Sequence, residues 1–269
     1  MNEDFPTERD RSGFWRGTLF GALLGAGSLL TYQYLSGILR QPRLLSSVIL
    51  SEEGAFETRE ALAMYIAAQN LTSGIHSRRL AGGLDRQVLH AGYRNFRESW
   101  ARDFGFAAYG LLALEEYRAV VDTLEAFLWY QTEEGQFPVK LHSISVVTRF
   151  LYSMFGREQP TGHLLKPKYN SAHGAPSLDG QALLVIAAQN YARVASDTDF
   201  LYRVWGQLKL AMEWLEHHRV GADKVLLVQD AYADWADSIA RPGRVMYTNV
   251  VYWQALRAMG QAAVYLGLK

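Results

Sequence analysis

Three short stretches of the chain concentrate side chains able to bind polar ligands or move protons. The first is Glu98-Ser99-Trp100-Ala101-Arg102-Asp103-Phe104. Arg102 and Asp103 adjoin, which favours the ionised carboxylate, and both side chains can hydrogen-bond hydroxyl groups. The same pair also suits a helix start with a surface arginine. The second stretch is Asn170-Ser171-Ala172-His173-Gly174-Ala175-Pro176-Ser177-Leu178-Asp179-Gly180. Here a long loop delivers Asp179 to the start of an apolar helix. In a cleft such a carboxyl group is a candidate general acid; elsewhere it is a first-turn acid that suits the helix dipole. His173 is either a candidate base or a solvated loop histidine. The third stretch is Asp230-Ala231-Tyr232-Ala233-Asp234-Trp235-Ala236-Asp237-Ser238, followed by Arg241, Arg244, Tyr247 and Asn249. Three carboxylates and a tryptophan so close together exceed what a helix cap requires.

Composition removes several chemistries. The chain has no cysteine, which excludes disulfides, thiol catalysis and thiolate metal sites. Its 27 basic and 27 acidic side chains balance, so no broad nucleic-acid surface is expected. No zinc-type His-Glu-x-x-His pattern is present, and without a calcium-type D-x-D-x-D-G loop metal binding by the third stretch is the less favoured reading, so no metal site is expected. The 7 Trp and 15 Tyr residues suit the walls of a sugar site, and equally a helical core.

The elements that must carry these residues are mostly helical. Apolar side chains recur at helical spacing over 57–71, 100–114, 115–131, 178–195, 197–218 and 248–266. Asp197 and Thr248 are the expected N-caps of the last two. Residues 78–92, rich in Gly and Arg, read as a loop. Residues 142–155 suit either a strand or a helix, 156–176 form a long loop, and 224–228 suit a short strand. The expected class is all-α, built from helical hairpins over 57–269.

Ahead of this domain lie a polar tail over 1–13, a candidate membrane anchor over 14–40 and a linker over 41–56 containing Pro42. Gly17–Leu39 carries no charge and is long enough to cross a hydrocarbon core. Arg16, Arg40 and Arg43 flank it, and aromatic residues lie near its ends, as interfacial anchors do. Gly17, Gly21 and Gly25 share one helical face, which would let a partner helix approach closely in lipid. A buried soluble helix, or a signal peptide cleaved near Ala22–Ser28, are the other readings. A membrane-anchored protein is therefore expected, with the side of attachment open because basic residues flank both ends.

Four motifs in order resemble one superfamily. Trp100-Ala101-Arg102-Asp103, then Glu134-Gly135-Gln136-Phe137-Pro138, then Asp179 opening an apolar helix, then Ala233-Asp234-Trp235-Ala236-Asp237 resemble the six-hairpin (α/α-toroid) glycosidases. The likeness is greatest to the alkaline/neutral invertases and the bacterial amylo-α-1,6-glucosidase, or glycogen-debranching, group, and it covers roughly residues 90–266. It implies a partial α/α toroid that acts on a carbohydrate. It further implies inverting hydrolysis of an α-glucosidic or sucrose-type bond, in which one carboxylic acid protonates the leaving oxygen and a second carboxylate activates water, chemistry that needs no cofactor. By the same resemblance Asp179 is the general acid, Trp100, Arg102, Asp103 and Gln136 line the sugar subsite, and Trp235 and Asp237 bind and position the ring. The chain departs from the pattern at Ala236, where the families usually carry Met. It offers no match for their general base, which lies on a helix beyond this region. The expectation is thus either a glycosidase that needs further sequence or a partner, or a non-catalytic, membrane-anchored binding or scaffolding subunit derived from one.

Overall fold

The computed structural model describes residues 30–40, 58–92, 96–220, 225–236 and 238–268. In chain order these form α1 (30–40), α2 (Arg59–Thr72), β1 (Ile75–Arg79), β2 (Asp85–Leu89), β3 (Ser99–Trp100), α3 (Ala101–Ala113), α4 (Tyr117–Trp129), β4 (Lys140–His142), α5 (Val146–Met154), β5 (Lys166–Lys168), α6 (Leu178–Val194), α7 (Thr198–Glu216) and α8 (Met246–Tyr265). Helix accounts for 54% of the structure, well above the roughly one-third typical of globular proteins. Among the described residues the fold is helix-rich rather than all-α, because five short strands accompany the helices.

The chain divides into two compact units, one drawn from residues 1–47 and 146–159 and the other from 48–145 and 160–269. In the smaller unit the Tyr34 hydroxyl donates to Thr148 Oγ1 at 3.1 Å, joining α1 to α5. Ile38 and Tyr152 are buried, whereas Val146, Val147, Phe150 and Met154 of α5 are exposed. Most of the expected anchor, including Gly17, Gly21 and Gly25, lies outside the described residues. Among the described residues no helix is long and apolar enough to cross a membrane.

The larger unit is organised around α6. Almost every residue of this helix is buried, because α3, α4, α7 and α8 all pack on it. A helix covered on all sides needs apolar residues all round, which Ala182–Ala188 supply. Its neighbour α3 comes in at Gly105, where an added Cβ would stand 2.5 Å from Leu183 Cβ. The Glu134–Pro138 motif anchors the middle of this bundle. Gly135 turns with φ +96°, and an added Cβ would stand 2.2 Å from the Leu210 carbonyl oxygen. Gln181 of α6 donates to the Gly135 carbonyl at 2.6 Å and accepts from the Phe137 amide at 2.7 Å.

Two regions fold differently from expectation. The expected loop over 78–92 is instead mostly part of an antiparallel hairpin over 75–89, with Ile75 opposite Leu89 and Arg79 opposite Asp85. Gly82 and Gly83 make its turn at φ +93° and +89°, and α4 supports it from below. Asp122 accepts the Gln87 amide at 2.9 Å and Thr123 accepts the Leu89 amide at 3.0 Å. Thr248 is not an N-cap. Helix α8 begins at Met246 after Val245, which makes no side-chain cap bond, and buried Thr248 instead donates to Gln229 Oε1. Asp197 does cap α7, accepting the Phe200 amide at 2.8 Å. The ambiguous stretch 142–155 splits into the end of β4 and all of α5.

Candidate functional site

The Trp100–Asp103 stretch sits at a strand-to-helix junction. Ser99 and Trp100 pair with Leu141 and Lys140, and α3 starts at the next residue. That placement puts Arg102 and Asp103 in the first turn, where Arg102 reaches across to α6. Its Nε and Nη2 donate to Asp179 Oδ2 and Oδ1 at 2.5 and 2.9 Å. Ser177, the N-cap of α6, donates to Asp179 Oδ1 at 2.6 Å and accepts from Arg102 Nη2 at 3.2 Å. The Gly180 amide adds a fourth donor to the carboxylate at 2.8 Å. Asp179 is fully buried, and these contacts all suit an acceptor-only carboxylate. Tyr247, in the first turn of α8, lies beside it. Burial first, then the Asp179 charge, raises the Tyr247 pKa, so the phenol keeps its proton.

The third stretch is a loop closed at its base. The Gln229 and Gly243 amides donate to each other's carbonyls at 3.0 and 2.8 Å. Inside it, buried Asp234 accepts from Arg241 Nη2 at 2.6 Å, Gln229 Nε2 at 3.0 Å and the Ala236 amide at 3.0 Å. Burial opposes its charge, but Arg241, Gln229 and the amide prevail and hold its pKa below the usual carboxylate range. Asp234 is therefore the knot of the loop. It leaves Trp235 projecting at 58% exposure, with the Arg241 guanidinium 5.3 Å from its ring centre. The loop also meets the one before α6, because His173 stacks on Tyr232 at 4.2 Å.

Arg102, Asp103 and Trp235 line one cleft of about 690 Å³, together with Asn70, His90 and Phe106. That volume falls within the roughly 300–1,000 Å³ of small-ligand sites. Asp179 stands behind Arg102 instead of on the cleft wall. Trp100 and Gln136 do not line it either. The Trp100 ring lies under the Lys140 ammonium at 4.5 Å, and Gln136 donates to the Tyr169 carbonyl at 3.1 Å. Asp237 lies outside the described residues. Among the described residues no cluster of His, Asp and Glu could hold a metal ion.

Sequence reasoning missed most of the lining residues, three of them polar or aromatic. Asn70 lies on α2 and Phe106 on α3, in helices whose patterns mark only a buried face. His90 follows β2, and the Gly-Gly turn was the signal for that hairpin. Compared with protein-family models and with curated proteins, the chain matches none.

Proposed function

We propose that the cleft at the head of α3 binds a saccharide, as a unit derived from a six-hairpin glycosidase. The observation that supports this most is that Arg102, Asp103 and Trp235, far apart in sequence, line the same cavity. An exposed indole offers an apolar face to the C–H side of a sugar ring. A guanidinium and a carboxylate beside it can donate to and accept from the ring hydroxyls. In this reading Asp179 positions Arg102 without touching the ligand. The helix-rich architecture is compatible with part of an α/α toroid, which belongs to the same proposal. So does attachment to a membrane through residues 14–40, resting on the uncharged stretch Gly17–Leu39.

Inverting hydrolysis of an α-glucosidic or sucrose-type bond, with Asp179 as the acid, is the second reading. The motif order favours it. The four donors on the Asp179 oxygens weigh against it, because a proton carried there must displace one of them. Tryptophan fluorescence and calorimetry of the full chain in detergent, titrated with maltotriose and with sucrose, test the binding reading. A saturable signal that disappears in Trp235→Ala is expected; no saturable signal from either sugar overturns it. Product analysis of the parent against Asp179→Asn tests the second reading, which fails if both release equal sugar or none.

A further inference from the structure

The β1–β2 hairpin carries positive charge into the interior. Its register pairs His76 with Val88 and Arg78 with Arg86, and side chains alternate along a strand. His76 and Arg78 therefore share a face with Val88 and with His90, whose amide continues the ladder to the Gly74 carbonyl at 2.8 Å. The His76 and His90 rings lie 4.4 Å apart. Arg78 is 8% exposed and His90 4%.

Two other wholly or mostly enclosed cations of the larger unit have carboxylate partners. Lys140 meets Glu98 at 2.6 Å, and Arg102 meets Asp179. Arg78 is different. Its Nη1 donates to the Ser77 carbonyl at 2.9 Å, but its buried Nε and Nη2 have no hydrogen-bond partner, and neither has His90 Nδ1. Among the described residues no carboxylate pairs with Arg78. Burial first, then the nearby Arg97 guanidinium, lowers the Arg78 pKa. A buried guanidinium with unmade hydrogen bonds is destabilising, and an oxyanion on its Nε–Nη2 edge would offset that with two parallel charge-assisted bonds. His90 extends this polar face to the cleft, because it also lines the cavity with Asn70 and Asp103.

We propose that Arg78 and His90 form the receptor for a phosphate-type oxyanion, next to the cleft that His90 lines. The anion site stands on the hairpin alone. That the phosphate is borne by the saccharide of the cleft, making a sugar phosphate the ligand class, rests on the function proposed above.

Calorimetric titration of the full chain with inorganic phosphate, glucose, glucose 1-phosphate and glucose 6-phosphate separates the two claims. Inorganic phosphate is expected to bind the parent and to bind Arg78→Gln at least tenfold more weakly. Arg78→Lys keeps the charge but loses the fork, so it should fall between them; it also serves as the folded control should Arg78→Gln not fold. One sugar phosphate should bind at least tenfold tighter than either phosphate or glucose. If phosphate binds through Arg78 but neither sugar phosphate gains over it, the anion site stands and its link to a saccharide falls. If phosphate does not bind the folded parent, or binds the parent and the Arg78 variants equally, the proposal is overturned.

Discussion

Arg102 and Asp179, 77 residues apart, meet in a two-point ion pair that fastens the first turn of α3 to the first turn of α6. Asp179 is fully enclosed and the Arg102 side chain is 16% exposed. Removing one partner of such a pair strands the other charge. Asp179→Asn is expected to lower the unfolding free energy by about 3–5 kcal/mol, read as a lowered denaturation midpoint in urea. The double variant Arg102→Met, Asp179→Leu should recover most of that loss. A single variant as stable as the parent would show that the pair does not clamp the two helices.

Trp235 gives the opposite expectation. It projects from a loop whose geometry is held by Asp234, Arg241 and Gln229. Trp235→Ala should change stability by no more than about 0.5 kcal/mol, while saccharide affinity falls at least tenfold. Equal losses in stability and affinity would mean that the indole supports the loop.

Gly135 tests the turn that anchors α6. Its φ of +96° disfavours any side chain, and a Cβ there would collide with the Leu210 carbonyl. Gly135→Ala should destabilise the larger unit by about 3 kcal/mol. Thermal unfolding of the variant checks this, and an unchanged midpoint would refute the close approach to α7.

His90 predicts how stability responds to acid. Burial first, then Arg78, His76 and Arg97, push its pKa from 6.5 down to about 2. Below about pH 6.5 the unfolded chain takes up a proton that the folded chain refuses, so the stability present above that pH is lost progressively as pH falls toward 2. Between pH 7.5 and pH 5 this one group should remove about 2 kcal/mol. Urea unfolding at the two pH values should show a smaller drop in His90→Gln. Identical drops in parent and variant would show that His90 is not held neutral by its surroundings.

The long helices were legible because their apolar residues repeat at helical spacing. α6, α7 and α8 begin and end close to the positions that the pattern implies. The hairpin was not, because β1 reads Ile-His-Ser-Arg-Arg, and its polar side chains mask any period of two. Thr248 illustrates a different limit. A Thr near a helix start looks like a cap, and only the fold reveals that Gln229, 19 residues earlier, takes its hydroxyl. In the site, residue types picked out Arg102, Asp103 and Trp235, which do line the cleft. They could not reveal that Arg102 turns toward Asp179 and encloses it, since that depends on how closely α3 approaches α6 at Gly105.

The paired amides of Gln229 and Gly243 give the Trp235 loop its own footing. The loop's knot, its projecting indole and its closing bonds all lie between these two positions or at them, and outside contacts reach it at Gln229, where Thr248 donates, and at Tyr232, where His173 stacks. Substitutions at its exposed tip can therefore change the surface offered at Trp235 while the bonds at its base keep their arrangement.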